Sequence, residues 1–292
     1  MRLLRFFGKA HGMIRYHKRK HMRKADIDKI RKYGRRTILE TVRDTDGGND
    51  IRYQIVQYTF PVFHSSDVLA IEFDNNGSYI YSAVYKSQRR HFQPVYQVSQ
   101  RLIDAYFKGH GPDGALVLGC AGCTIPRFLL LHFNRCRVVG VEYSQQFVDI
   151  AERFFISEAM RPRFDLVCGD GFEYVANSVG KQKFDLVYTD IYVADIIHPD
   201  VYTNDYISQV CELLRDDGIA VINSFRVPFE RIKSFVNSIQ APFGALYIIE
   251  QYRKHFIVLC RTADQRRLAD FEKRLPGYAQ IDLKIIKNTE RS

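Results

Sequence analysis

Five short, nearly continuous apolar runs punctuate the middle of the chain: ALVLG (115–119), RVVGVE (137–142), FDLVCGD (164–170), FDLVYTD (184–190) and GIAVINSF (218–225). Runs of this length and continuity predict strands buried on both faces of a parallel sheet. Stretches with helical spacing lie between them, near 124–133, 144–157, 171–178 and 203–214. Alternating strand and helix predicts a doubly wound α/β layer structure. A further helix is expected near 228–239. ALYIIEQY and HFIVLCR then supply two last strands as an antiparallel pair, and the charged tail after Arg261 reads as a helix and a loose end.

Ahead of this alternation the period changes. IRYQIVQYTFPVF (51–63) is rich in β-branched and aromatic residues. VLAIEFDNNGSYIYSAVY (68–85) reads as strand, Asn-Asn-Gly turn and strand. VYQVSQRLIDAYF (95–107) has helical spacing, and the glycines of GHGPDG end it. These boundaries divide the chain into an arm (1–44), a small antiparallel β domain (45–92), a Rossmann-like α/β domain (93–262) and a C-terminal helix and tail (263–292).

Charge changes this picture at one end only. The formal net charge is +10, yet residues 1–36 carry fourteen Lys and Arg against Asp26 and Asp28, a balance of +12, so the rest of the chain stands at −2. The basic arm suits an anionic surface, nucleic acid or acidic partner, or simply aids solubility. The MRLLRFFGKAHGMIRYHKRK start lacks the sustained apolar stretch of a secretory signal. No apolar run approaches the ~18 residues of a membrane span. Six cysteines scattered through apolar patterns fit a reducing cytoplasm better than a disulfide framework.

The chemistry concentrates at the carboxyl ends of the predicted strands, where open α/β sheets bind ligands. LVLGCAGCTIPRFL (116–129) reads as strand, small-residue turn and helix. Gly119, Ala121 and Gly122 let a backbone approach a ligand, and the following helix offers free N–H groups. Glu142 ends the second strand 23 residues after Gly119, where an acid accepts ribose hydroxyls. Asp170 ends the third strand, where a carboxylate can take an adenine amino group. Asp190 ends the fourth. Acids at strand ends also form turns, so the signal lies in three acids in register. Cys120 and Cys123 admit a redox reading, because a helix N-terminus lowers a thiol pKa. A zinc site would need a second ligand pair that the sequence does not supply. Both cysteines are read as small loop residues, with no metal.

This set of residues resembles the spermidine synthase (polyamine aminopropyltransferase) family and its class I methyltransferase-fold relatives over about residues 50–260. LGCAGCTIPRFL, VVGVEYS, VCGDGFEYV, FDLVYTD and VYTNDYISQVCELLRDDGIAVINSF carry the resemblance. It implies a Rossmann-like sheet that binds S-adenosylmethionine or its decarboxylated form. Glu142 would hold the donor ribose, Asp170 with Gly171 the adenine, and Asp190 would accept a proton from the attacking amine. Tyr192, Asp195, His198 and Tyr202 fall in a segment that would close over the crevice. Thr203 reads as a helix cap and His198 as a proton shuttle or plain turn residue. Tyr188 is expected in the core, on the face opposite Asp190.

The sequence also departs from the family. Its Gly-Gly-Gly-Asp-Gly-Gly loop has no acid here, and Ile191-Tyr192-Val193 stands where Ser-Ser-Asp-Pro is usual. An Asp-Glu-x-x-Tyr segment is missing from YKSQRRHFQPVYQVSQ, which offers Arg89, Arg90 and His91 instead. LGCAGCTIPRFL and Asn223 look closer to members without a polyamine pocket. The expected activity is alkyl transfer, methyl or aminopropyl, to an unidentified small-molecule acceptor. A true polyamine aminopropyltransferase, a non-catalytic nucleoside-binding module with a nucleic-acid- or membrane-binding arm, and a redox protein are the alternatives. A homodimer fits any of them.

Overall fold

The computed structural model describes residues 2–7, 10–12, 34–44, 51–60, 67–73, 80–86, 94–108, 110–193, 196–224, 227–251 and 254–275. Its main sheet is built on five parallel strands: β7 (Gly114–Leu118), β8 (Arg137–Glu142), β9 (Phe164–Cys168), β10 (Phe184–Thr189) and β13 (Leu214–Ser224). β15 (Lys254–Cys260) pairs antiparallel with β13, and β14 (Ala245–Gln251) antiparallel with β15. The order β14-β15-β13-β10-β7-β8-β9 reverses direction between β7 and β10, the point where a doubly wound sheet opens its ligand crevice. Two strands from the basic arm extend the sheet beyond β14: β1 (Arg2–Phe7) and β2 (Ala10–Gly12). The fifth predicted strand starts earlier than its apolar run, at Leu214, because the polar Arg215–Asp217 stretch continues the extended backbone.

The helices fall where the periodicity places them: α1 (Pro94–Phe107), α2 (Thr124–His132), α3 (Gln145–Ile150), α4 (Gly171–Ser178), α5 (Asn204–Leu213), α6 (Phe229–Ser238) and α7 (Gln265–Arg274). A π-helical turn, Ala151–Phe155, continues α3. Strand alternation divides the core in two. Val117, Leu186, Tyr188 and Val221 face one side with Leu102 and Phe128, while Leu116, Val187, Ala220 and Ile222 face the other with Ile207 and Val210. No helix among the described residues is long and apolar enough to cross a membrane.

A separate four-stranded antiparallel sheet runs β3 (Arg35–Asp44), β4 (Ile51–Thr59), β5 (Val68–Phe73), β6 (Ile80–Tyr85). It begins inside the span read as arm. β3 is illegible as a strand from sequence because RRTILETVRD is an edge strand with charged side chains on both faces. One of those, Glu40, makes a two-pronged ion pair with Arg153 beside α3 at 2.7 and 3.0 Å. The sheet's inner face packs on the α/β domain through Tyr53 and Tyr81 against Phe147, with Phe73 packed on both tyrosines. Arg127 of α2 donates to the carbonyls of Tyr85 and Lys86 and to that of Phe155, closing the seam. The Asn-Asn-Gly turn, Pro61, Arg89, Arg90 and His91 lie outside the described residues.

Candidate active site

The turn after β7 passes beneath the end of β10. Gly119 has φ +81°, and a Cβ there would lie 2.3 Å from the Asp190 carbonyl oxygen. Only glycine fits that contact and that backbone. Ala121 (φ +40°) and Cys123 (φ +51°) also sit in the left-handed region, which costs a residue with a side chain about 1 kcal/mol or more. Gly122 lies against Ser82 of β6, whose hydroxyl meets Thr124 Oγ1 at 2.9 Å. The small sheet thus backs the turn.

Glu142 holds that strained turn together. Its Oε2 accepts the N–H groups of Cys120 (2.9 Å) and Ala121 (2.8 Å), and its Oε1 accepts that of Ser144 (3.2 Å). These two N–H groups of the turn are therefore spent on the strand-end acid. Burial raises the Glu142 pKa, and the backbone N–H bonds pull it back. Backbone N–H groups of Ala121, Ser144, Cys120 and Tyr143 all favour its carboxylate form.

Asp170 is the N-cap of α4. Its Oδ1 accepts from the N–H groups of Phe172 (2.7 Å) and Glu173 (3.1 Å). The cap uses one oxygen and leaves Oδ2 for a further donor. A Cβ at Gly171 would come 3.1 Å from Ile191 Cδ1, so the backbone runs close under the segment after β10.

Asp190 is half-buried at the end of β10. Its Oδ1 accepts from Asn223 Nδ2 at 2.7 Å, and its Oδ2 from the Tyr96 hydroxyl at 3.1 Å. Burial pushes its carboxyl up to about 6; the bonds from Asn223 and Tyr96 lower it, and Glu142 across the turn raises it. A carboxylate that titrates near neutrality can take a proton at physiological pH. Burial and the nearby Asp190 charge likewise raise the Tyr96 phenol, which keeps it a proton donor.

Tyr96 escapes the sequence reading. The departure at YKSQRRHFQPVYQVSQ counts there as loss of both acids and tyrosine, yet a tyrosine from this segment reaches Asp190. The signal is its position in the first turn of α1, which starts at Pro94. Tyr188 needs correction too. Residues two apart on a strand share a face, so Tyr188 lies on the same side as Asp190, not opposite. It is fully buried, with its hydroxyl 2.7 Å from Ser99 Oγ. Thr189 is the residue that faces away, bonded to Tyr206.

The segment after Asp190 forms a small hairpin, β11 (Tyr192–Val193) and β12 (Ile196–Ile197). The Tyr192 hydroxyl donates to the Asn223 carbonyl at 2.9 Å, tying the hairpin to β13. Asp195 lies outside the described residues. His198 Nδ1 accepts the Asp200 N–H at 3.3 Å and its ring packs on Phe172 at 4.9 Å, so it caps a turn. Tyr202 packs against Phe235 with Arg231 over its ring, and Thr203 caps α5 through the Tyr206 N–H.

Cys120 and Cys123 are both buried, and burial raises both thiols, the reverse of what a redox or nucleophilic pair requires. Among the described residues no cluster of His, Cys, Asp and Glu has metal-holding geometry.

Residues 106–254, just over half of the chain, match the spermine/spermidine synthase domain. A polyamine aminopropyltransferase of Pyrobaculum aerophilum is 28% identical over 196 residues, covering 63% of this chain and 65% of that protein. The mouse eEF1A lysine and N-terminal methyltransferase is 22% identical over 167 residues, covering 54% of this chain and 24% of that one. A probable spermidine synthase from Corynebacterium glutamicum shares the fold with a TM-score of 0.63 at 16% identity, covering 85% of this chain and 91% of its own. The chain spans between about half and two thirds of the length of the two Pyrobaculum aminopropyltransferases it matches. With a matching domain over the parallel strands and their connecting helices, the chain belongs to the spermine/spermidine synthase family.

Proposed function

We propose that this protein transfers an alkyl group from S-adenosylmethionine, or its decarboxylated form, to a small acceptor. The observation that carries this reading is Asp190 at the crevice, gripped by Tyr96 and Asn223 and separated from Glu142 by the turn that bears Gly119. Glu142 would accept from the donor's ribose, and Asp170 Oδ2 from the adenine amino group. The donor's sulfonium carbon would then face Asp190. In the reaction the acceptor's lone pair forms a bond to that carbon, the carbon–sulfur bond breaks, and sulfur keeps the electron pair as a thioether. The acceptor's proton passes to Asp190. The protein contributes mainly placement and proton transfer.

The relatives named polyamine aminopropyltransferase favour a second reading, aminopropyl transfer to a polyamine. A di-cation held away from water needs carboxylates. Asp190 supplies one, and the family's loop acid is replaced by the Cys120–Cys123 stretch. Calorimetric titration with both donors and with methylthioadenosine tests the nucleoside site. Mass spectrometry of products formed with putrescine, cadaverine and spermidine tests the second reading. Turnover near 1 s⁻¹, the low end of the usual enzyme range of roughly 1–10³ s⁻¹, would establish polyamine chemistry. Absence of any adenosyl binding would refute both readings.

A further inference from the structure

Asn223 has two polar ends, and only one is used. Its Nδ2 donates to Asp190 Oδ1 at 2.7 Å. This orientation is chemically forced, because an ionised carboxylate only accepts, so the amide must turn its nitrogen toward it. The side-chain oxygen is left over. It is shut away from solvent with no hydrogen-bond partner, on a residue only 4% exposed. The main chain of Asn223 is fixed as well, since Tyr192 of the hairpin donates to its carbonyl. A rigid, unpaired acceptor is therefore held next to the base. Such an atom is costly to bury unless a donor arrives to meet it.

We infer that Asn223 is a specificity residue for the acceptor: its Oδ1 receives one N–H of the attacking nitrogen while its Nδ2 keeps Asp190 turned to receive another. The inference rests on the transferase reading and deepens it. A neutral primary amine has two hydrogens, one substituent and one lone pair in tetrahedral array. With one hydrogen on Asp190 and one on Asn223, the lone pair is directed away from both, toward the donor's carbon. As the carbon–nitrogen bond forms, the nitrogen becomes cationic, Asp190 takes one of its protons, and the departing sulfur carries off the carbon–sulfur electron pair. A hydroxyl or thiol has a single hydrogen, so it can satisfy Asp190 or Asn223 but not both. Tyr96 and Tyr188, whose phenols stay protonated, the Cys120 thiol, which burial also keeps protonated, and Glu142 beyond the turn are the other ionisable groups around Asp190. None of them competes for the Asn223 oxygen.

The test uses the full chain saturated with S-adenosylhomocysteine and follows the Asn223 side-chain carbonyl by carbon NMR. Methylammonium, which carries N–H groups, is titrated against tetramethylammonium, which has none. The expected result is a methylammonium-dependent shift of the Asn223 resonance at least about tenfold more sensitive to concentration than the tetramethylammonium response. Asn223→Leu, similar in size and without polar atoms, should lose this discrimination, read on the Asp190 carboxyl resonance, and keep S-adenosylhomocysteine binding. Equal responses to the two cations, or none, overturn the inference while leaving the transferase reading standing. Failure of S-adenosylhomocysteine to bind removes the reading on which it rests, and the inference with it.

Discussion

Tyr96, at the start of α1, donates its hydroxyl proton to Oδ2 of Asp190, a residue 94 positions further along the chain. This bond joins the segment that links the two sheets to the end of the strand bearing the candidate base. It also helps to set when that base is ionised, since it opposes the upward pull of burial.

Replacing Tyr96 by Phe should therefore move the acidic limb of the pH–rate profile upward from about 6. A hydrogen bond to a charged group contributes about 1.5–3 kcal/mol, so the shift should be on the order of one pH unit or more. The check is kcat/KM against pH with wild type and Tyr96→Phe side by side. An unmoved limb would mean that Asp190 is not the group being titrated.

Asp190→Asn should abolish turnover and raise stability. The carboxyl titrates near 6 in the folded protein against 3.8 as an ordinary Asp. The native state thus binds more protons than the unfolded state between those values, and stability falls as pH rises from about 4 to 6. Above that window the wild type carries the full cost of an ionised, half-buried carboxylate, on the order of 1–2 kcal/mol after screening by crevice solvent. The amide lacks that cost. Thermal melts should show the Asp190→Asn variant a few degrees more stable than wild type at pH 8 and no more stable near pH 4. A gain that is the same at both pH values would contradict this account.

Glu142→Ala should weaken two properties together. Three backbone N–H groups lose their acceptor, two of them in a turn with Ala121 and Cys123 at positive φ. A stability loss of about 2–4 kcal/mol is expected. Adenosyl-ligand affinity should fall about 30-fold or more, from loss of the ribose acceptor and of the turn's shape. Titration calorimetry at a temperature where the variant remains folded separates the two effects. Wild-type affinity in the folded variant would sink the ribose assignment.

Cys120→Ala with Cys123→Ala should leave donor affinity within a few-fold. Both thiols are buried and held protonated, so neither should react with iodoacetamide in the native protein. Rapid labelling of either, measured by mass spectrometry before unfolding, would revive a role for the pair.

The sequence by itself determined the layering of the α/β domain, because five short apolar runs alternating with helical periods have few other ways to bury both faces of each strand. It also placed Glu142, Asp170 and Asp190 at one edge, since strand ends in a parallel sheet necessarily share that edge. Three features needed the folded chain. β3 is an edge strand whose partners for Glu40 and Arg36, namely Arg153 and Glu72, are distant in sequence, so its charges read as arm. The grip of Tyr96 and Asn223 on Asp190 joins three segments separated by 94 and 33 positions, and no local period records such a meeting. The carboxylate of Glu142 was legible as a ligand acceptor, while its bonds to Cys120 and Ala121 depend on how tightly the turn after β7 folds back over β8. Periodicity reports which face a side chain takes. Hydrogen bonds between side chains of different elements depend on register and separation across the sheet, and these are fixed only when the elements pack.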